Sequence, residues 1–470
     1  MKTLDKKAIK AGVGYTIGNL LIKSVGFLSI PIFTRLLSST EYGIFNSYLA
    51  YESIVFIIIG FALHSSIKNA KYKYKDKFNE YCSSILLIYI INLIIFLIIG
   101  NLVYPFIAEF LSFSRFIFNC LIIQSMGAAL ITFYNVKLSL EFNSKKYVIL
   151  AFLNTVGNVL LSIVLMKTIF NNNRVDGRVI GSVIPLFLIG IYVIWQSIKL
   201  AKPKYNKEYW TFGIKYSLPI VPHGLSQVIL SQFDRVMIQH IISAAAAGIY
   251  SFAYNIGTIV QTIATSVDNS FSSWLYEKMS KKEYSDIKEK TNKYVLMFTV
   301  LCMVIVVFSV ELVKILSTKE YWESIYCVIP IIFATYFMFL YFLPAQVEYY
   351  HKKTNYIALG TVFAALLNVL LNYIFIPRYG YIAATYTTVF SYIVYFIAHY
   401  IIARKILGFY LYDTKFIIKN ILLLLLVCIA VFVNLHNFLL RYLILIPIMI
   451  YFIYNNKELI GKIICKFKTN

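Results

Sequence analysis

Fourteen mainly apolar stretches, most of them about 20 residues or longer, recur along the chain with only short polar connections between them. Crossing roughly 30 Å of hydrocarbon at 1.5 Å of rise per residue takes about 20 such residues in a helix. The reading is therefore an all-α integral membrane protein with about fourteen transmembrane helices. The first six are expected near 11–37, 43–64, 82–105, 114–136, 147–169 and 178–198. The next six fall near 211–242, 248–276, 294–316, 323–347, 355–377 and 380–403, and a last pair near 416–435 and 438–455. A soluble alternative fails on surface: with 60% hydrophobic and 14% charged residues, no polar layer remains to cover so many apolar helices.

The 44 Lys and Arg against 21 Asp and Glu give a net charge of +23, which in a soluble chain raises a nucleic-acid hypothesis. Here the basic residues cluster between apolar runs: Lys68 to Lys77, Lys199 to Lys207, Lys278 to Lys293, and the Lys-bearing tail. Cytoplasmic loops retain Lys and Arg, so these clusters place both termini inside and require an even number of spans. The charge is a topology signal, reinforced by attraction to anionic lipid headgroups, and no nucleic-acid partner is expected. Cys82, Cys120, Cys302, Cys327, Cys428 and Cys465 form no CxxC pair and no metal-ligand spacing, so neither metal nor cofactor is expected. The N-terminal Lys residues before an apolar run resemble a signal peptide's start, but the run is too long and reads as the first span.

Two echoes suggest an internal repeat. Ser38 to Gly43 after the first span matches Ser243 to Gly248 after the seventh, each with Ser five residues before Gly. Asn158-Val-Leu-Leu followed by Gly177-Arg-Val-Ile-Gly181 matches Asn368-Val-Leu-Leu followed by Gly380-Tyr-Ile-Ala-Ala384. The order implies two six-helix bundles of like orientation, 1–205 and 206–407, with pseudo-two-fold symmetry, and an added helix pair with a basic tail at 408–470. Repeats of this kind commonly hold a substrate site at their interface near the midplane.

Charged residues inside a bilayer are costly, by about 2.5 to 3.5 kcal/mol on insertion scales, and so mark function or pairing. Lys23 lies mid-span, too deep to snorkel. It faces either a wet cavity or Glu52, also at mid-depth, and the pair would then fix helix packing. Lys23 and Arg235 are read as the two basic residues within spans. The seventh stretch carries His223, Gln227, Gln232, Asp234 and Arg235, and the eighth Gln261 and Asp268, a polar seam. His223 reads as a packing residue or a cavity-lining one. Pro31, Pro219 and Pro222 are hinge candidates, because proline removes a backbone donor and kinks a helix; Pro330 and Pro344 interrupt the tenth span likewise. Gly14 and Gly18 allow a close helix approach. Gly12-Val-Gly14 lacks the third glycine of a dinucleotide fingerprint and follows no strand.

Pro31-Ile-Phe-Thr-Arg35-Leu-Leu-Ser38 leading to Glu41-Tyr42-Gly43-Ile-Phe45 resembles a motif of bacterial polysaccharide flippases of the Wzx type. Leu218-Pro219-Ile-Val-Pro222, Asp234-Arg235 and Gly248-Ile-Tyr250-Ser251 resemble that family's seventh-span region, and Asn368 to Gly380 its eleventh. The family lies in the multidrug, oligosaccharidyl-lipid and polysaccharide exporter superfamily. The resemblance implies export of O-antigen, capsule or related repeat units on undecaprenyl diphosphate, flipped across the inner membrane by alternating access. It also implies a proton or sodium counter-ion and possible polymerase partners. Lys23 and Arg235 would then bind the diphosphate, with Asp234, Asp268 and Glu52 as coupling-ion sites and His223, Gln227, Gln232 and Gln261 lining the cavity. The rivals are a drug exporter of the same superfamily, a flippase for the peptidoglycan precursor, and a membrane glycosyltransferase or polymerase, for which the loops are too short.

Overall fold

The computed structural model describes residues 2–111 and 113–455, and the side chains of all of these except 2–10, 13 and 455. The Lys-bearing tail and Cys465 lie outside the described residues. Among the described residues every regular element is helical and none is a strand. The chain forms two compact units, Met1–Gly248 and Ile249–Asn470.

The first unit holds α1 (Lys2–Leu36), α2 (Ser39–Gly60), α3 (Ile67–Tyr74), α4 (Phe78–Leu111), α5 (Arg115–Leu140), α6 (Ser144–Lys167), α7 (Arg174–Leu200), α8 (Lys207–Ser217) and α9 (Val221–Ile241). Ser38 starts α2 with a capping box, its hydroxyl accepting from the Glu41 N–H while the Glu41 carboxylate accepts from the Ser38 N–H at 2.8 Å. The most buried long helix of this unit is α5, packed against α2, α4 and α7. Gly14 and Gly18 of α1 lie against Ser144 and Val148 of α6, leaving no room for a side chain.

The second unit holds most of α10 (Ala244–Ser280), then α11 (Tyr284–Val307), α12 (Ser309–Leu316), α13 (Ile325–Tyr350), α14 (Thr354–Tyr379), α15 (Ala383–Leu407), α16 (Thr414–Val433), α17 (Phe438–Leu443) and α18 (Leu445–Asn455). Its core is α13, buried on all faces and packed on α15, α11 and α16. Outer faces are apolar instead of polar. Leu359, Phe363, Leu366, Leu370 and Tyr373 step by four and three along α14, and all are more than half exposed. Such a stripe suits lipid and not water.

Eleven described helices are long and apolar enough to cross a membrane, where fourteen spans were expected. The other three stretches are helical but differ in kind. The 211–242 stretch is split into α8 and α9 by a 3-10 turn at Leu218–Ile220, where Pro219 removes a donor and Pro222 opens the next helix. The 248–276 stretch lies within α10, long enough but made polar by Gln261, Thr262, Asp268 and Asn269. The 438–455 stretch is two short helices, α17 and α18. By contrast α1 runs unbroken through Pro31, and α13 through Pro330 and Pro344.

Candidate functional site

The polar seam foreseen at the seventh stretch is carried by α9, which packs along α2 in the first unit. Asp234 and Arg235 are both buried, 1% and 3% exposed. The Arg235 guanidinium donates to Ser231 O at 3.0 Å and to the Gln232 side chain, and its own carbonyl accepts from Ser47 Oγ of α2 at 3.5 Å. Gln232 is thus joined to Arg235. Lys23, by contrast, is exposed on α1, so the two cations assigned one role stand in opposite environments. Glu52 is half-buried on α2, and its carbonyl accepts from Ser125 Oγ of α5 at 3.3 Å. His223 Nδ1 is buried without a hydrogen-bond partner, and Gln227 is exposed.

In the second unit Gln261 is half-buried, and Asp268 of α10 meets α13. The Gln346 amide donates to both Asp268 carboxylate oxygens at 3.0 Å, and its carbonyl oxygen accepts from the Tyr276 hydroxyl at 2.7 Å. Two residues along α13, the Glu348 carboxylate lies 2.6 Å from His399 Nδ1 of α15, with both side chains fully buried. The rings of Tyr341 and Tyr395 stand edge-on to the imidazole at 5.0 and 4.7 Å.

The claim that only Lys23 and Arg235 are basic residues inside spans does not hold. Lys137, Arg178 and Arg441 are also buried. Lys137 lies one residue beyond the fourth expected span, where α5 continues to Leu140, whereas Arg178 opens the sixth expected span and Arg441 lies within the last. Arg178 sits between the rings of Phe33 and Phe45, 4.0 and 4.2 Å from their centroids, and donates to Asn158 Oδ1 at 2.6 Å and Ser162 Oγ at 2.8 Å. Arg441 forks onto Glu311 at 2.6 and 2.8 Å. The signal for Glu348 and His399 was visible, a His within one apolar run and a Glu at the end of another. Only the fold shows that they meet.

The residues of both echoes sit at contacts between helices. Asn158 ties α6 to α7 through Arg178, and Asn368 ties α14 to α15 by donating to Thr388 Oγ1 at 3.3 Å. Gly43 and Gly248, the paired turn glycines, lie against each other's backbone; a Cβ on Gly43 would strike Ala244 O, and one on Gly248 would strike Ser39 O.

A family model described as polysaccharide biosynthesis protein matches residues 9–270, more than half of the 470. The chain belongs to the polysaccharide biosynthesis protein family. Within that family's range lie Arg178, Arg235 and Asp268. A relative from Haemophilus influenzae, "Lsg locus putative protein 1", is 22% identical over 285 residues, covering 59% of this chain and 68% of its own. An uncharacterized membrane protein of Methanocaldococcus jannaschii is 22% identical over 453 residues, covering 88% and 87%. Among solved structures, the lipid II flippase MurJ in an inward closed conformation superposes with a TM-score of 0.70 at 16% identity, over 95% of this chain and 99% of that one. An inward-facing multidrug resistance MATE family transporter of the MOP superfamily gives 0.65 at 14%, over 81% and 97%. At these identities the likeness is one of fold: a polysaccharide biosynthesis family member with the all-α architecture of that superfamily.

Proposed function

We propose that this chain is a flippase for lipid-linked oligosaccharides. It takes undecaprenyl diphosphate bearing a polysaccharide repeat unit from the inner to the outer leaflet of the cytoplasmic membrane by alternating access, with both termini inside. The observation that carries this reading is the family match over residues 9–270, and the MurJ-like fold over 95% of the chain supports it. The chemistry agrees. A diphosphate needs cations at depth, and Lys23 and Arg235 are our candidates for it. An open apolar cavity of about 630 Å³ between α14 and α15, lined by Leu371, Phe375, Tyr379, Tyr386 and Phe390, is of a kind that can lodge an isoprenoid chain.

Pro219 and Pro222, where the helix is broken, and Pro31 in the continuous α1 are the hinge candidates for alternating access. The most buried helices of the two units are the fourth and tenth expected spans, six apart, as a six-helix repeat would have them. Asp234, Asp268 and Glu52 are the candidates for a coupled proton or sodium, and polymerase machinery is the natural recipient of the product. The chain acts as a transporter and not as an enzyme. Deleting it should make lipid-linked repeat units accumulate on the cytoplasmic face; unchanged levels together with new drug sensitivity would favour the exporter reading, which shares the fold.

A further inference from the structure

In the first unit α3 and α8 enclose an open cavity of about 710 Å³ on the side the charge pattern assigns to the cytoplasm. It is lined by Lys73, Lys207, Glu208, Phe212, Lys215 and Tyr216. Lys207 and Lys215 stand eight residues apart on α8, about 12 Å along the axis and on the same face. The opposite face of α8 is fixed: Tyr209, Gly213 and Ser217 are buried, and Gly213 brings the helix against Ile85 and Tyr81 of α4.

Phe212 and Tyr216 are the aromatic part of the lining, and an aromatic cluster behind Phe212 fixes the helix that carries them. Tyr74 lies 4.7 Å from Tyr209 and 5.5 Å from Phe212, and Tyr81 lies 5.6 Å from Tyr209. Lys73 is held over the Phe212 ring at 4.6 Å and pairs with Glu208 at 3.3 Å. That contact satisfies the cavity's single carboxylate. Among the described residues no carboxylate pairs with Lys207 or Lys215, so two lysines line the cavity without a counter-charge. A lysine that serves topology alone needs neither a cavity nor aromatic neighbours in its lining.

We propose that this cavity is a docking site for the diphosphate-bearing headgroup of a lipid-linked oligosaccharide lying in the cytoplasmic leaflet, before it enters the translocation path. Lys207 and Lys215 take the phosphate oxygens as charge-assisted acceptors, and the Phe212 and Tyr216 rings offer apolar faces to the first sugar. The volume fits a small polar headgroup, since ligand pockets run from about 300 to 1,000 Å³. Because α8 joins α9 through the Pro219 turn, occupancy here reaches the segment that carries Asp234 and Arg235. The proposal rests on the flippase reading.

The test uses the full chain in nanodiscs of neutral phosphatidylcholine, with undecaprenyl diphosphate, phosphatidylglycerol and inorganic pyrophosphate as separate probes. Undecaprenyl diphosphate should bind tightest, and K207Q/K215Q should weaken it about tenfold, with K207R/K215R restoring binding and K281Q leaving it intact. Equal affinity for phosphatidylglycerol would reduce the site to a general anionic-lipid surface and overturn the proposal. Pyrophosphate binding that the double variant also loses would support phosphate recognition independent of the lipid tail. Unchanged binding in a monodisperse K207Q/K215Q protein would also overturn the docking site. Export that proceeds without the chain would sink the flippase reading and leave the binding result standing.

Discussion

A guanidinium held between two phenylalanine rings gains from both faces, and Arg178 adds two neutral oxygen acceptors at its edge. Lysine keeps the charge but cannot lie flat between rings or fork its donors. R178K should therefore lower the thermal unfolding temperature of the detergent-solubilised protein, and R178A should lower it further, by a cost of about 2 to 4 kcal/mol. Equal temperatures for wild type and R178A would refute the packing role. Lys23 and Arg235 carry a different expectation. K23Q/R235Q should abolish export while the protein stays at normal levels in the membrane; full export would remove both from the diphosphate site. At this scale the sequence was legible where cost is visible, at charges within apolar windows such as Arg235 and Asp268. It was not legible for Arg178, the first residue of its window and so readable as an end charge, nor for the Glu348–His399 contact, whose members are 51 positions apart and meet only through the packing of α13 on α15.

Among the elements, the crossing of α2 with the start of α10 depends on having no side chain at Gly43 or Gly248. G43A would place a methyl against the Ala244 carbonyl, backbone that cannot swing aside, and overpacking of this kind costs about 1 to 3 kcal/mol. G12A meets nothing within 4 Å and should be neutral, so the pair of unfolding temperatures checks the crossing directly. The start of α16 offers a second measurement. The Phe416 N–H donates to Asp413 at 3.1 Å and Lys288 lies 3.3 Å from the same carboxylate, and these together hold its pKa below the usual range. A depressed carboxylate stabilises the fold above its unfolded pKa, roughly 4, and that contribution fades as pH falls through the folded value. D413A should cost about 1 kcal/mol at neutral pH and progressively less in acid. A penalty that grew on acidification would contradict the cap. Helix existence was read well from apolar length, and the split at Pro219 was foreseen from missing donors. The ends were not, because caps such as Ser38, Asn206 and Asp413 lie outside hydropathy windows.

For the whole molecule, the disposition of Lys and Arg makes a claim about sides that hydropathy cannot. Cytoplasmic retention of positive charge assigns Lys278 to Lys293 to the inside, and the connection between α6 and α7 to the outside. The described native cysteines, Cys82, Cys120, Cys302, Cys327 and Cys428, are all buried and free, so a membrane-impermeant maleimide should leave them unlabelled. With Cys465 replaced, single cysteines report sidedness against a low background. K281C should react only in inside-out vesicles, and N172C only in intact spheroplasts. The run around Lys281 also carries an ion-paired surface, with Lys278 bonded to Glu283 and to Asp286 at 2.7 Å, which keeps that turn folded and the probe position exposed. Labelling of N172C from the cytoplasmic face would invert the whole arrangement. The cavity of Lys207 and Lys215 would then open to the outer leaflet, where a lipid-linked precursor made in the cytoplasm does not arrive. The orientation of the chain and the docking of its substrate therefore stand or fall together on this labelling pattern.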